Sequence, residues 1–282
     1  MNYRHAFHAG NFADVVKHVV LAQLIERLKQ KEAPFRVIDT HAGIGFYDLT
    51  GEEATRTGEW QAGIGRLYDR TLDPALAALF APYLDAVRAA NGAGALRRYP
   101  GSPWIARHLL RRQDRLTATE LHPDDARTLA ALFAGDRQVK VIALDGWLAL
   151  GSFVPPKERR GLALVDPPFE EPDEFGRLAE RFVAACRRWP TGMFALWYPV
   201  KDLAAIDRFR LALAASGIRR LLRAELTVRN RSTVGTFNGA GLVICNPPWR
   251  FAETLEASLA ALRPILASGP GAAAVIDPIS GE

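Results

Sequence analysis

Short apolar runs rich in β-branched and aromatic residues recur along the chain from Phe35 onward. They are FRVIDT (35–40), LTATEL (116–121), VKVIAL (139–144), GLALVD (161–166) and MFALWY (193–198). Stretches with apolar residues at helical spacing separate them, at 103–113, 123–134, 173–188 and 202–216. This alternation predicts an α/β fold with helices on both faces of a parallel sheet, because parallel strands need a long crossover and a helix is the crossover that covers the sheet. Two further runs, RRLLRAELTVR (219–229) and GAGLVICN (239–246), are joined only by the polar, turn-rich link NRSTVGTFN (230–238). Strands joined so directly pair antiparallel.

Five parallel strands followed by an antiparallel hairpin make a seven-stranded sheet of the Rossmann-like class I methyltransferase type. A doubly wound dehydrogenase more often continues with parallel βα units. A helix over about 12–31 precedes the first strand. Asn11 and Asp14 are its capping candidates, and Val15, Val16, Val19, Val20, Leu24 and Leu28 form one apolar face. The loop DTHAGIGFYDL (39–49) does not open straight into a helix. The next clear helix start is YPGSPWIARHLLRR (99–112), with Ser102 as N-cap and Pro103 in the first helical position. The residues between, roughly 51–98, contain a helical pattern at 74–90. They read as a small inserted helical subdomain within one domain spanning 1–282, since the α/β pattern resumes on both sides.

The chain has 282 residues, 49% of them hydrophobic, enough for one large α/β core plus an insertion. No secretory signal is seen, and no apolar run approaches the roughly 18 residues of a membrane span, so a cytoplasmic protein with no membrane partner is expected. Cys186 and Cys245 lie in apolar patterns and suit reduced structural thiols. Net charge is +5, with arginines paired at 97–98, 111–112, 159–160, 187–188 and 219–220, and with Arg229 near Arg231. That balance suits a polyanionic partner, although arginine pairs also serve simply as solvated surface.

Ligands of an open α/β sheet bind beyond the carboxyl ends of its parallel strands. The first strand ends in Asp39-x-x-x-Gly43-x-Gly45, whose glycines allow close backbone approach. The second ends in Glu120, suited to accept from ribose hydroxyls. The third ends in Asp145-Gly146, where a carboxylate suits an adenine amine, and the fourth in Asp166-Pro167-Pro168-Phe169. Each alone also reads as a cap or turn; four in a row point to one site. A similar tetrapeptide, Asn246-Pro247-Pro248-Trp249, ends the last strand. That strand runs antiparallel, so its end falls at the opposite edge. NPPW is therefore expected to terminate the ladder, with Trp249 packed under the sheet.

The amine of adenine is a poor nucleophile because its lone pair is delocalised into the ring. Asp166 and the Pro167 carbonyl can accept its two hydrogens and draw the nitrogen towards tetrahedral geometry. Proline holds the carbonyl direction, and Phe169 offers a face for a flipped-out base. Attack on pyrimidine C5 requires a cysteine nucleophile. Cys186 falls in mid-helix and Cys245 on the reversed strand, which excludes that chemistry.

The chain resembles the RlmJ family, bacterial enzymes that methylate N6 of an adenine in 23S ribosomal RNA. The likeness runs over nearly its whole length, through YRHAFHAGNFADVVKH, DTHAGIGFY, RTGEW, YPGSP, TELHP, LVDPPF, ALWYPV and NPPW. The resemblance implies S-adenosyl-L-methionine as cofactor, with contacts at His18, His41, Ser102, Glu120, Asp145 and Gly146, to which the strand-end reading adds Gly43. It implies Asp166 as the catalytic acceptor and Tyr3 as a residue that interacts with substrate RNA; His5 and Lys17 belong to the same N-terminal signature. The family's usual tyrosine after the prolines is Phe169 here, which keeps the stacking face and removes a hydroxyl. Residues 1–10 are expected to be mobile without ligand and to close over the site. No metal is expected, since His5, His8, Asp14 and His18 match no zinc spacing. The chain is expected to act as a monomer with no obligate protein partner. Rival readings are a DNA adenine-N6 methyltransferase, a non-catalytic RNA-binding Rossmann module and an NAD-linked oxidoreductase. The small insert, the intact Asp166 row and the absence of G-x-G-x-x-G weigh against them in turn.

Overall fold

A computed structural model describes residues 4–233 and 236–281. After a 3-10 turn (His5–Phe7), the chain forms α1 (Phe12–Lys29) and β1 (Arg36–Asp39). β2 (Phe46–Asp48) pairs with β3 (Arg98–Pro100) and closes the base of an excursion that holds α2 (Glu52–Thr57), α3 (Glu59–Ala62) and α4 (Pro74–Asn91). There follow α5 (Ser102–Leu109), β4 (Arg115–Glu120), α6 (Pro123–Leu132), β5 (Val139–Ala143), α7 (Gly146–Phe153), β6 (Gly161–Val165), α8 (Glu174–Arg188) and β7 (Met193–Val200). The remainder is α9 (Leu203–Ala215), β8 (Leu221–Thr227), β9 (Gly239–Cys245), α10 (Phe251–Leu266) and β10 (Ala273–Ser280).

The main sheet runs β10-β8-β9-β7-β6-β1-β4-β5. Neighbours among β7, β6, β1, β4 and β5 pair parallel, and β9 inserts antiparallel between β7 and β8. The direction of β9 is as the short link predicts. The sheet has eight strands, not the expected seven, because β10 adds antiparallel to the outer edge of β8. The reason lies in β8, all of whose residues are buried, Arg223 and Glu225 included. β10 occupies its open ladder, and Asp277 accepts from Arg223 Nε and Nη2 at 2.7 and 2.8 Å.

Residues packed on one face of the sheet come from α1, α4, α5 and α10, and those on the other from α7, α8 and α9. α1 departs from the expected single apolar face. Asp14, Lys17, His18 and Gln23 are buried along with its aliphatic residues. The cause is that α1 is flanked on several sides: α4 of the excursion, α5 and α10 all pack against it. Gln23 Nε2 donates to Ser258 Oγ of α10 at 2.8 Å. Asn11 is the cap, accepting from the N–H groups of Ala13 and Asp14. Ser102 is not a cap; Gly101 takes that position and Ser102 is the first residue of α5, buried.

Candidate active site

The strand order reverses between β1 and β6, and connections leave that point in opposite directions. The crevice it creates beyond the strand ends is where such sheets take ligands. A cavity of ≈ 500 Å³ lies there. It is lined by His41, Gly43, Glu120, Asp145, Gly146, Asp166, Pro167 and Phe169 from the strand ends, by Ser102 from α5, and by His5, Lys17 and His18 from the N-terminal segment. Tyr3 lies outside the described residues. Every other residue expected to act in catalysis, cofactor binding or RNA contact lines this one cavity, whereas Asp39 and Gly45 of the glycine loop do not.

The glycine loop is held from below. Gly43 has φ +62° and its N–H donates to Glu120 Oε2 at 2.9 Å. The other oxygen, Oε1, accepts from the His122 N–H at 2.9 Å. Glu120 is thereby fixed between two loops, and a carboxylate has further lone pairs to offer a ligand. Asp145 is fixed similarly, its Oδ1 accepting from the N–H groups of Trp147 and Leu148 as the cap of α7. Gly146 is dictated by space, since a Cβ there would stand 2.2 Å from the Thr40 carbonyl oxygen and 2.6 Å from the His41 ring. Close packing also tunes His41. Its ring meets Trp147 edge-on at 5.3 Å, and desolvation lowers its pKa to about 4, so it is neutral at physiological pH.

His18 stands on a chain of hydroxyls. Its Nδ1 is 2.8 Å from Tyr99 Oη, which is 3.1 Å from Tyr83 Oη. Burial, together with the neighbouring Lys17 charge, holds His18 neutral. Its Nε2 is buried without a protein partner, and the residue lines the cavity. A buried unpaired ring nitrogen costs stability unless a ligand meets it. Asp39, beneath the glycine loop, is also buried, with no donor in hydrogen-bonding geometry although Ser102 is adjacent. Burial raises its carboxyl pKa to about 7.

The other end of the cavity is organised by Lys17. Its Nζ lies 2.5 Å from Asp166 Oδ2 and 2.9 Å from Asp14 Oδ1. Burial opposes a charge there, but the two carboxylates outweigh it and hold the ammonium protonated far above its usual range. Asp14 Oδ2 in turn faces His5 Nε2 and accepts from the Gly10 N–H, both at 2.9 Å. Burial would raise Asp14; His5 and Lys17 instead keep it well below the usual carboxylate range. His5 also meets the Tyr47 ring edge-on at 4.9 Å, and His8 lies 3.1 Å from Glu59 of α3. Residues 4–8 are thus clasped to α1 and the excursion as one wall of the cavity. Phe169 adopts φ +53°, a left-handed conformation costing roughly 1–2 kcal/mol for a residue with a side chain. It turns the ring to Phe175 at 4.8 Å and Trp197 at 5.8 Å. Lys17 Nζ stands 5.7 Å from the Trp197 ring centre.

Sequence reasoning took Asp14 as a cap and assigned nothing to Trp197, Phe237 or Tyr99. Trp197 and Tyr99 were legible only as members of the ALWYPV and YPGSP motifs; Phe237, which also lines the cavity, carries no local signal. The NPPW tetrapeptide lies at the opposite edge, as its strand direction requires. Trp249, however, is 83% exposed and does not pack under the sheet. The left-handed Asn246 (φ +54°) directs the chain outward, and its Nδ2 donates to the Pro190 and Gly192 carbonyls at 2.8 and 2.7 Å. Among the described residues, no group of three or more His, Cys, Asp or Glu is placed to hold a metal, and no helix is long and apolar enough to cross a membrane.

The model of the family described as "Ribosomal RNA large subunit methyltransferase D, RlmJ" matches residues 32–276. The chain belongs to this family. It is 43% identical over 256 residues to the ribosomal RNA large subunit methyltransferase J of Escherichia coli, covering 91% of this chain and 90% of that one. It is also 43% identical over 267 residues to the protein of the same name from Haemophilus influenzae, covering 94% and 92%. A crystal structure of a Legionella pneumophila protein superposes with a TM-score of 0.87 at 34% identity, over 96% of this chain and 98% of that one. The match over nearly the full length includes the excursion, which is therefore part of the family's architecture.

Proposed function

We propose that this protein transfers a methyl group from S-adenosylmethionine to N6 of an adenine in 23S ribosomal RNA. Family membership makes it an RNA large-subunit methyltransferase; the choice of atom rests on the site. The observation that carries the reading is the meeting of Asp166-Pro167-Pro168-Phe169 with the strand-end row in one cavity. The residues present fit the cofactor. The left-handed Gly43 loop, the carboxylates of Glu120 and Asp145 and the unpaired His18 Nε2 offer close backbone approach, acceptors for hydroxyls and an amine, and one further polar contact. The cofactor supplies an electrophilic methyl group.

The chain itself prepares the nucleophile. Asp166 gives Oδ2 to Lys17, which leaves Oδ1 to accept from the adenine amine. The Pro167 carbonyl accepts the second hydrogen. These two bonds localise the lone pair on nitrogen, and alignment then supplies most of the remaining acceleration. Asp166 is the group beside N6 when the surplus proton leaves. Phe169 and Trp197 form the stacking surface for a base lifted out of its helix. The resemblance implies Tyr3 as a contact to RNA, with His5 and Lys17 of the same signature lining the cavity, and the N-terminal segment excludes water as a lid does. The protein acts as a single chain in the cytoplasm.

Mapping N6-methyladenine in ribosomal RNA from cells lacking the gene tests the reading. Loss of methylation at one adenine, restored by the wild-type gene, is the expected result. An unchanged map, or a lost mark on another atom, overturns it.

A further inference from the structure

The arginine pairs of the sequence do not gather around the cavity. Strand registers place most of them at the other edge of the sheet. Arg36 is level with Arg115 and with Gly161, which brings Arg111-Arg112 and Arg159-Arg160 to the ends where β4 and β6 begin, on either side of β1. Leu162 is level with Met193, while Phe194 and Leu221 are both level with Cys245. Arg187-Arg188 at the end of α8, Arg219-Arg220 before β8 and the NPPW turn after β9 therefore share that edge. Along β6, the edge lies about 17 Å from Asp166, at roughly 3.3 Å per residue.

Six guanidiniums stand out. Arg112, Arg159, Arg187, Arg188, Arg219 and Arg220 are exposed, and among the described residues none lies at ion-pair distance from a carboxylate. Among the described residues Glu158 is engaged by Arg36, Asp114 by Arg111 and Glu253 by Arg250, which leaves Glu32 beside Arg111 against six guanidiniums. The edge thus carries surplus positive charge. Within it the indole of Trp249 is fixed outward by its turn. The Asn246 N–H donates to the Arg220 carbonyl and Arg220 Nη2 to the Pro247 carbonyl, both at 3.0 Å. The other exposed large apolar residues, Leu121, Leu148 and Leu211, belong to other segments, so Trp249 is not part of an apolar patch that a protein partner would cover. A lone aromatic among guanidiniums that no carboxylate neutralises matches a nucleic-acid surface: cations for phosphates and a ring for one unpaired base.

We propose that this edge is a second RNA-binding surface, which holds the backbone of a part of ribosomal RNA remote from the methylated base and stacks one base on Trp249. The inference rests on the reading of the substrate as RNA. The cavity and this edge lie at opposite ends of the strands, so RNA that meets both must pass round the sheet, and the edge favours a large folded RNA over a short hairpin.

The test compares two probes, an in-vitro transcript of protein-free large-subunit ribosomal RNA and a short hairpin carrying only the target adenine. The variants are Arg187→Glu with Arg219→Glu, the neutral pair Arg187→Gln with Arg219→Gln, and Trp249→Ala. Arg70→Glu with Arg88→Glu, on the excursion, controls for net charge. At about 150 mM salt the charge-reversed pair is expected to weaken transcript binding about tenfold and to flatten the slope of log Kd against log salt by about one to two, one phosphate contact contributing roughly 0.7–0.9. Trp249→Ala is expected to weaken transcript binding about fivefold without changing the salt slope. Methylation of the hairpin keeps its wild-type kcat/KM in all of them. Transcript binding and salt slope unchanged in the folded variants, or reduced no more than in the control, overturns the proposal. Failure of the wild type to methylate either RNA overturns the functional reading instead, and the binding measurements still report on this edge.

Discussion

Asp166 and Asn246 each precede two prolines and an aromatic ring, yet one lies in the cavity and the other ties strand ends together about four residues lower in register, some 13 Å away along the strands at roughly 3.3 Å per residue. Asp166→Ala is expected to leave less than about a tenth of the methylation rate, a loss above roughly 1.4 kcal/mol, with S-adenosylhomocysteine affinity largely kept. Asn246→Ala removes two hydrogen bonds to backbone carbonyls, each contributing about 1 kcal/mol. Its thermal midpoint should fall while its rate per folded enzyme stays at the wild-type value. Rate assays on both proteins decide between the tetrapeptides, and a dead but folded Asn246→Ala reverses the assignment. Glu120 bears on the cofactor. Glu120→Ala removes the proposed ribose acceptor and also the anchor of the Gly43 loop, so calorimetry should show S-adenosylhomocysteine bound at least about tenfold more weakly, near 1.4 kcal/mol. An unchanged affinity refutes the role.

At the scale of elements, α1 does most to complete the site. It delivers Lys17 and His18 side by side, and α4, α5 and α10 make this possible by packing against it. The sequence suggests a detachable lid at residues 1–10, whose removal leaves stability untouched. The structure gives a different expectation. His5 and the Gly10 N–H serve buried Asp14, which in turn holds Lys17. Deleting residues 2–9 should therefore cut methylation of an RNA hairpin severely and also lower stability by about 1–3 kcal/mol, the usual loss for a charged group left short of a hydrogen bond. Calorimetric unfolding of the truncated chain checks the second part; an unchanged midpoint restores the picture of a free lid.

For the whole molecule, the buried Asp39 links stability to pH. Burial raises its folded pKa to about 7 from the ordinary 3.8. The native state keeps a proton that the unfolded chain has lost, so this contribution to stability declines as pH rises from about 4 to 7 and is constant above. The full span is on the order of 4 kcal/mol at 1.36 kcal/mol per pKa unit. Asp39→Asn cannot ionise. Its melting temperature should exceed that of the wild type at pH 8 and approach it towards pH 5. Parallel pH profiles for the two proteins mean that Asp39 is not desolvated in this way.

Periodicity along the chain and the short link before β9 were enough for the α/β class, the parallel direction of five strands and the reversal of β9, because side-chain burial imposes a repeat of two on strands and 3.6 on helices. The same logic separated DPPF from NPPW, since strand direction alone decides which edge a terminal residue reaches. Other features have no local signature. β10 exists because β8 needs an edge partner. α1 is buried all round because α4, α5 and α10 close over it. Asp14, a capping candidate by sequence, becomes the hinge of an ion-pair chain only when Asp166, distant in sequence, is folded against Lys17. Trp249 looks like a core residue by type and is held in solvent by the left-handed turn before it. Each of these depends on which surfaces meet in space, and such meetings are set by tertiary packing rather than by the order of neighbouring residues.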